Sequence, residues 1–420
     1  MRIHIRNGRI VDPASGRDET GDVFVAEGLI AEPFRDKADR VIDASGLVVA
    51  PGFIDLSARL REPGYEYKAT LESEMDAAAA GGVTSLACPP DTDPPLDEPG
   101  LVDMLRRRAA ALSRARLYPI GALTVKLAGE ALTEMGQLAD AGCVAFSQAN
   151  APLADTQVLW RALQYAATFG YKVWLRAEDA WLARGGVAHD GETATRLGLP
   201  GIPPFAETIA LGTILDLVRA TGAQVHVCRL STAGAIERMR LARAEKLPVS
   251  CDVAVHHLHL CDLDLGYFDP HCRLEPPLRS QRDRDALARG LADGTVDCVV
   301  SDHTPVDDDG KHLPFSEAEP GATALELLLP LTLKWGAVQK LSLAATLARI
   351  TSAPARILGS RAGRVAPGAP ADLALFDPRA PLHVTAEALK SQGKNTPFLG
   401  YELSGRVRYT VMAGNLVYEA

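Results

Sequence analysis

The chain has 420 residues, with 44 basic and 53 acidic side chains and a formal net charge of −9. Hydrophobic residues make up 47% and charged residues 23%, proportions that are typical of a compact globular protein and exclude a disordered chain. The net negative charge argues against a nucleic-acid backbone as a partner. Because a single core stops growing at roughly 250–300 residues, the length predicts a large barrel with an added domain, or two ordinary domains.

The N-terminus reads as an alternating strand pattern, without the apolar run and the small-residue cleavage site of a signal peptide. No stretch approaches the roughly 18 uninterrupted apolar residues of a membrane span. The seven cysteines are scattered and never in CxxC spacing. We therefore expect a cytoplasmic protein with no membrane partner, whose cysteines are buried free thiols.

Residues 1–50 contain short alternating strands separated by Gly, Asp and Pro turns. The same pattern of short strands and turns appears near the C-terminus, in the segments GRVAPGAPADLALFDP, HVTAEALKS and GRVRYTVMAGNLVYEA. Since chain ends often lie close together, we expect residues 1–50 and 356–420 to form one small β-sandwich.

Apolar strand runs alternate with amphipathic helices in residues 51–355. The predicted strands are GVTSLACP, RLYPIGALT, CVAFSQ, KVWLRAED, AQVHVCRLS, VSCDVAVHH and VDCVVSDHTP. Helix-like stretches such as TQVLWRALQYAATFG and FAETIALGTILDLVRATG lie between them, with apolar residues three and four positions apart. The pattern predicts an α/β fold, a TIM (β/α)₈ barrel, with a doubly wound sheet as the second choice.

Arginines follow three of the predicted strands, at the barrel end where reactive groups usually lie. They are Arg59, Arg176 and Arg229. A guanidinium at the end of a buried strand requires an anionic partner. Two alternatives are open. Either the arginines form internal salt bridges with Asp55, Glu178, Asp252 or Asp302, or they line an anion-binding pocket.

A series of ordered motifs resembles the dihydroorotase branch of the amidohydrolase superfamily. The matching segments are PGFIDLSARLREPG, AGGVTSLACPPDTDPP, GALTVKLAGEALTEMGQL, AGCVAFSQAN, LGLPGIPPFAETIAL, VHVCRLSTAGA, VSCDVAVHHLHLCD, PPLRS, VSDHTPVD and GKNTPFLGYELSGRV. They cover nearly the whole chain. The resemblance implies a metal-bearing TIM barrel with a small β-sandwich built from both termini.

The resemblance also locates the family's metal ligands, and this chain has lost most of them. The family's first motif, Asp-x-His-x-His-x-Arg-x-Pro-Gly, places its two histidines at Ser57 and Arg59. The bridging acidic residue falls at Gln148 or its neighbours, and the next two histidines fall at Arg176 and Arg229. Of the family's ligand set only Asp302 remains, as a relic.

Guanidinium has no lone pair to offer a metal, whereas zinc requires imidazole, thiolate or carboxylate ligands. A guanidinium about 4 Å from a dication would be repelled by about 8 kcal/mol at an effective dielectric constant of about 20. We therefore expect no zinc and no other cofactor. We expect the three arginines to supply the positive charge that the metal supplies in the family, and one of them to form an ion pair with Asp302.

Substrate-binding positions implied by the resemblance have also changed. Arg61, which matches the family's clamp for the substrate carboxylate, is present as a relic. Two positions where the family has asparagine are Asp91 and Glu275, so each adds negative charge to a site for an anion. Without a metal-activated water, Asp302 alone supplies no nucleophile, and we expect no catalytic residue.

Several histidines and serines could be interpreted as metal ligands or as catalytic residues. On a strand, His257 and His259 would share one face and could form a ligand pair, although family members carry the His256–His257 pair without using it for metal. We interpret His303 as structural. Ser147 and Ser231 lack the histidine of a catalytic triad, which makes nucleophilic catalysis weakly supported.

Three functions are compatible with these observations. The first is a catalytically inactive dihydroorotase homologue of pyrimidine biosynthesis. By resemblance to non-catalytic members, it would assemble with the catalytic chain of aspartate transcarbamoylase into a homo- and hetero-oligomer. The second is a cyclic-amide hydrolase with an altered ligand set. The third is a metal-free protein that binds a small anion through its arginines.

Overall fold

The computed structural model describes residues 1–34 and 37–420. Its N-terminal part forms five strands: β1 (Ile3–Asp12), β2 (Arg17–Ala26), β3 (Leu29–Ala31), β4 (Arg40–Asp43) and β5 (Val48–Pro51). β1 and β2 form an antiparallel hairpin, while β4 and β5 lie parallel to β1. The turn after Asp12 ends at Gly16, whose positive φ of 75° suits glycine.

The middle of the chain forms the predicted barrel. Its strands are β6 (Phe53–Asp55), β7 (Val83–Cys88), β8 (Arg116–Ala122), β9 (Ala145–Ser147) and β10 (Lys172–Arg176), the short β11 (Ala188–His189) and β12 (Gly201–Ile202), and then β13 (Gln224–Cys228), β14 (Val249–Ala254) and β15 (Cys298–Val300). Eight of them pair in parallel and in chain order from β6 to β15, with β11 and β12 forming a separate two-stranded ladder. A bridge between Ala58 and His303 brings the first and last strands together. The TIM-barrel prediction is confirmed.

Helices surround this barrel. They are α1 (Leu71–Ala80), α2 (Pro99–Leu112), α3 (Met135–Ala141), α4 (Thr156–Phe169), α5 (Glu192–Leu197), α6 (Pro204–Thr221), α7 (Ala233–Ala244), α8 (Gln281–Asp293), α9 (Asp308–Lys311), α10 (Leu328–Val338), α11 (Leu343–Ala348) and α12 (Ser352–Leu358). In α4 the Asp155 side chain caps the N-terminus, Gly170 ends the helix in the left-handed conformation, and the stripe from Leu159 to Ala166 is buried. No helix of the described residues combines the length and apolar character that a membrane crossing requires.

The C-terminal part returns to the first sheet through β16 (Leu373–His383), β17 (Glu402–Met412) and β18 (Asn415–Glu419). β16 pairs antiparallel with β5, so strands from both ends of the chain form one eight-stranded sheet with its own apolar core. This confirms a small β-domain built from both termini. The β-like interpretation of HVTAEALKS was wrong, because β16 ends at His383 and turns follow it.

The barrel interior below its C-terminal mouth is apolar. Ile54, Leu56, Ile120, Trp174 and Val300 are all buried in one cluster there. All seven cysteines are free thiols, six of them buried and Cys228 half-buried. The polar groups at the mouth therefore lie above a mainly apolar floor.

Candidate functional site

The C-terminal ends of four barrel strands bring the predicted site residues together. Arg59 follows β6, Arg176 is the last residue of β10, Arg229 follows β13 and Asp302 follows β15. Because parallel strands end on the same side of a barrel, these side chains meet at one mouth. Arg59 and Arg229 are each only 4% exposed and Asp302 only 6%.

Asp302 lies at the centre of a hydrogen-bonded cluster. Its Oδ1 accepts from Arg59 Nη1 at 3.1 Å, from Arg229 Nη1 at 3.0 Å and from Ser57 Oγ at 3.2 Å. Burial would raise the pKa of Asp302, but the Arg229 and Arg59 charges lower it below its usual value. Asp302 is thus an ionised carboxylate shared by two guanidinium groups.

Asn150, which follows β9, connects the two arginines a second time. Its Oδ1 accepts from Arg229 Nη2 at 2.6 Å and from Arg59 Nη2 at 3.1 Å. Sequence reasoning placed Asn150 only within the run that lacks the family's acidic residue and missed this role. The signal that could have found it is an amide oxygen at a strand end, facing buried guanidinium groups that need acceptors.

The two carboxylates that depart from the family pattern are paired with arginines. Asp91 Oδ2 accepts from Arg59 Nε at 2.8 Å, and Glu275 Oε1 accepts from Arg176 Nη2 at 2.8 Å. Arg176 Nη2 also contacts Glu178. Burial opposes ionisation of Asp91, but Arg59 lowers the pKa of this carboxyl below its usual value. The salt-bridge alternative therefore describes this mouth, although Asp55 and Asp252 form no ion pair with these arginines.

Two predicted positions point elsewhere. Gln148 accepts from Thr124 Oγ1 at 3.0 Å and donates from Nε2 to the Leu127 carbonyl at 2.8 Å. Arg61 donates from Nε to the Pro305 carbonyl at 2.7 Å. Burial lowers the pKa of Arg61, and the nearby Arg59 charge lowers it further. Neither side chain is positioned as a ligand for a central ion.

Four residues around the mouth have a strained backbone conformation. Arg61, Ala149, Arg229 and Asp302 all have positive φ, between 47° and 63°. Such conformations are costly for residues other than glycine and cluster at functional sites, where the surrounding structure enforces them. The backbone conformation at the mouth is thus typical of a binding site, whereas the side chains there form hydrogen bonds and ion pairs with one another.

Little space remains directly below the arginine cluster. The cavity lined by Ser57, Arg59, Cys228 and Arg229 has a volume of about 20 Å³. That volume holds about one water molecule, whereas small-molecule sites have volumes of about 300–1,000 Å³. A cyclic amide does not fit without rearrangement of the arginines.

The residues at the positions that the resemblance assigns to the family's metal ligands do not fit a metal. Arg59 and Arg229 bring two guanidinium groups into hydrogen-bond contact with the carboxylate of Asp302, Ser57 adds a hydroxyl, and Arg176 donates to the Asn150 carbonyl. Guanidinium groups donate hydrogen bonds and repel cations. We therefore assign no step to a metal at this mouth.

The histidines after β14 do not lie on a strand. β14 ends at Ala254 and residues Val255–Leu258 form a 3₁₀ helix, so His257 and His259 do not share the strand face that the ligand-pair alternative requires. His257 Nε2 lies 3.1 Å from the Pro276 carbonyl, and His259 Nε2 lies 2.9 Å from the Leu331 carbonyl. Burial lowers the pKa of both imidazoles to about 4.

The other side chains singled out in the sequence are held structurally. His303 Nε2 lies 2.5 Å from Glu74 Oε2, and its Nδ1 accepts from the Ala324 amide at 3.1 Å. Ser231 contacts the carboxylate of Glu207 and has no histidine partner.

One group of possible metal ligands lies deeper in the barrel. Ligand atoms of His226, Cys228 and Asp252 all lie within 4.8 Å of one another. Both imidazole nitrogens of His226 already have partners, Asp252 Oδ2 at 2.8 Å and Ser250 Oγ at 2.8 Å. Burial raises the pKa of the Cys228 thiol well above its usual value.

Comparisons with known proteins agree with the motifs. A family model described as dihydro-orotase-like matches residues 46–235, and a model described as amidohydrolase family matches residues 189–418. A dihydroorotase-like protein of Pseudomonas aeruginosa is 46% identical over the full length of both chains, and a dihydroorotase of Geotalea daltonii is 40% identical over the same extent. Among solved structures, the L-hydantoinase of Arthrobacter aurescens matches with a TM-score of 0.86 and 25% identity, covering 99% of this chain and 96% of the other.

Proposed function

The chain belongs to the dihydroorotase-like branch of the amidohydrolase family, and we propose that it is a metal-free, catalytically inactive member with a structural role in assembly. Its partner in this proposal is the catalytic chain of aspartate transcarbamoylase, as the resemblance to non-catalytic homologues implies. The proposal combines two parts, inactivity and assembly, which have different support.

Inactivity is supported by one observation, the ion-paired cluster at the mouth. Arg59 and Arg229 occupy the positions of two family ligands and both donate to Asp302. Hydrolysis of a cyclic amide in this family depends on a metal that generates a nucleophile from bound water. The guanidinium groups that bind Asp302 offer a metal no lone pair, and the cavity of about 20 Å³ below them admits no substrate ring. The same volume counts against a small-anion receptor at this mouth.

Assembly requires an exposed surface and not a pocket. The barrel and the β-domain are intact, and large aromatic side chains remain at the surface, with Trp181 72% exposed and Tyr267 90% exposed. Aromatic residues are enriched in protein interfaces. Among these, Trp181 is the position where we expect a substitution to weaken assembly.

Size-exclusion chromatography of the purified chain with the aspartate transcarbamoylase catalytic chain tests this role. We expect a common peak of larger mass and a tenfold weaker association for Trp181→Ala, a change of about 1.4 kcal/mol. Arg282→Ala, an exposed residue on α8, is the matched control and should assemble normally. Separate elution at micromolar concentrations of both chains would contradict the assembly role.

A second candidate function is a cyclic-amide hydrolase that uses a different ligand set. It is favoured by the His226, Cys228 and Asp252 group, whose imidazole, thiol and carboxylate are donor types that zinc accepts. The hydrogen bonds that already occupy His226 weigh against it.

Zinc titration of Cys228→Ser separates the two functions. If the wild-type chain binds one zinc tightly and Cys228→Ser does not, the hydrolase is favoured and assays on cyclic amides become decisive. If neither protein binds zinc, the second function is excluded. Cys143→Ser, a thiol outside the group, is the control.

A further inference from the structure

A larger cavity lies at the opposite, N-terminal end of the barrel. It has a volume of about 510 Å³ and lies between α12 and the first residues of β10, β13 and β14. Catalytic sites of such barrels lie at the other end. The cavity is therefore separate from the arginine cluster at the mouth.

Positive charge dominates the wall of this cavity. Lys172, Arg243 and Arg356 line it, against one carboxylate, Asp297. Arg243 Nη2 and Asp297 Oδ2 pair at 2.5 Å, so these two charges compensate each other. Lys172 Nζ donates to the neutral Ile357 carbonyl at 2.7 Å. Among the residues that the structure describes, Lys172 and Arg356 thus have no carboxylate partner, in a chain with a net charge of −9.

Arg356 is the more available of the two cations. It is exposed on α12 and has no hydrogen-bond or ion-pair partner among residues 1–34 and 37–420. An arginine fork binds phosphate oxygens in a bidentate manner, and a lysine adds a point charge. Arg356 and Lys172 together provide the recognition elements for a phosphate group.

The inner wall carries apolar surface. Trp174 borders the cavity and is 1% exposed, with an indole Nε1 that is itself buried and has no acceptor among the described residues. Val225 and Ile357 add apolar surface beside it. A volume of 510 Å³ exceeds what inorganic phosphate requires and lies within the range of cofactor-sized sites.

We propose that this cavity binds a small organic phosphate of nucleotide size, with its phosphate at Arg356 and Lys172 and its planar body toward Trp174. Trp174 also borders the small cavity below the arginine cluster. A ligand here would therefore lie one side chain away from that cluster. The inference does not rest on the proposed function, since it concerns binding to the isolated chain.

Isothermal titration calorimetry of the full chain with uridine monophosphate and adenosine monophosphate tests the proposal. We expect saturable binding of at least one nucleotide, and binding at least about tenfold weaker to Arg356→Ala, because this variant loses the charge-assisted hydrogen bonds to the phosphate. Uridine and adenosine, which lack the phosphate, should not bind measurably. Arg282→Ala, which does not line the cavity, should bind as the wild-type chain does.

Three results would overturn the proposal. They are the absence of saturable binding of either nucleotide up to about 10 mM, equal binding by Arg356→Ala and the wild-type chain, and tighter binding of succinate than of both nucleotides. The last result would assign the cavity to dicarboxylates. Arg356 is exposed, so its substitution leaves the fold intact and the test does not depend on metal content or on assembly.

Discussion

At the scale of single residues, the replacement of histidine ligands by arginine that the resemblance implies would reverse the chemistry of the site. A histidine lends a lone pair to a cation, whereas Arg59 and Arg229 donate hydrogen bonds and bring their own charge to Asp302. The resemblance predicts which positions changed. It was not enough to predict Asn150 as the shared acceptor, because that contact depends on how three strand ends approach one another.

Restoring two histidines should not restore catalysis. We expect Ser57→His combined with Arg59→His to show no dihydroorotate hydrolysis in the presence of zinc, since Gln148, Arg176 and Arg229 still deny the metal its ligands. Ring opening is measured by absorbance. Measurable turnover of this double variant would show that the ligand assignment is wrong.

Neutralising Asp302 should destabilise the protein strongly. Asp302→Asn leaves Arg59 and Arg229 buried without their shared carboxylate, and loss of one partner of a buried ion pair costs about 3–5 kcal/mol. Urea denaturation measures the free energy of unfolding of the wild-type chain and of each variant. Asp18→Asn, which breaks the exposed pair with Arg9, is the control and should cost less than about 1 kcal/mol. Equal costs for the two variants would contradict the central place of Asp302.

At the scale of elements, local pattern and tertiary contacts disagree in one segment. The run VSCDVAVHH predicts a strand through His257, but β14 stops at Ala254. His257 and His259 turn toward carbonyl groups at Pro276 and Leu331, which are distant in sequence. Sequence periodicity carries no information on such distant acceptors. By contrast, all seven strands that the sequence predicts for the barrel are present, because their apolar side chains fill its core.

This segment should make stability depend on pH. Burial holds the pKa of His259 at about 4, below its ordinary 6.5, so between these values the unfolded chain binds a proton that the native chain does not. The contribution of neutral His259 to the free energy of unfolding is therefore complete above pH 6.5 and is lost as the pH falls toward 4. Asp55 and Glu326, whose pKa values burial raises to about 7, act in the opposite sense and lose their contribution as the pH rises through 7.

Substitution of His259 separates these effects. Between pH 7 and pH 4 we expect the wild-type chain to lose about 3 kcal/mol more stability than His259→Gln, whose amide can still donate to Leu331. Urea unfolding at each pH provides the comparison, with His312→Gln at an exposed position as the control. Identical pH profiles for His259→Gln and the wild-type chain would be inconsistent with a buried neutral imidazole.

At the scale of the whole molecule, strands from the two ends of the chain form one sheet, and the barrel lies between them in the sequence. β5 pairs with β16, and β17 carries Val407 and Val411 into buried positions. The β-rich texture of both termini was sufficient to predict this domain. The order of the strands was not, because pairing between distant segments leaves no local pattern.

Truncation should show how much the C-terminal strands contribute. Removal of residues 402–420 deletes β17 and β18 and exposes the edge of β16, so we expect an aggregated product. Removal of residues 415–420 deletes only the edge strand β18 and should leave a folded chain. Size-exclusion chromatography and circular dichroism distinguish these cases, and a folded, monodisperse 1–401 fragment would contradict the expectation.

The most direct measurement of the central claim is metal content. The chain would be purified without chelator, dialysed against zinc and then against buffer, and subjected to elemental analysis. Because guanidinium groups occupy the family's ligand positions, we expect less than about 0.1 zinc per chain. One or two tightly held zinc ions per chain would contradict a metal-free barrel.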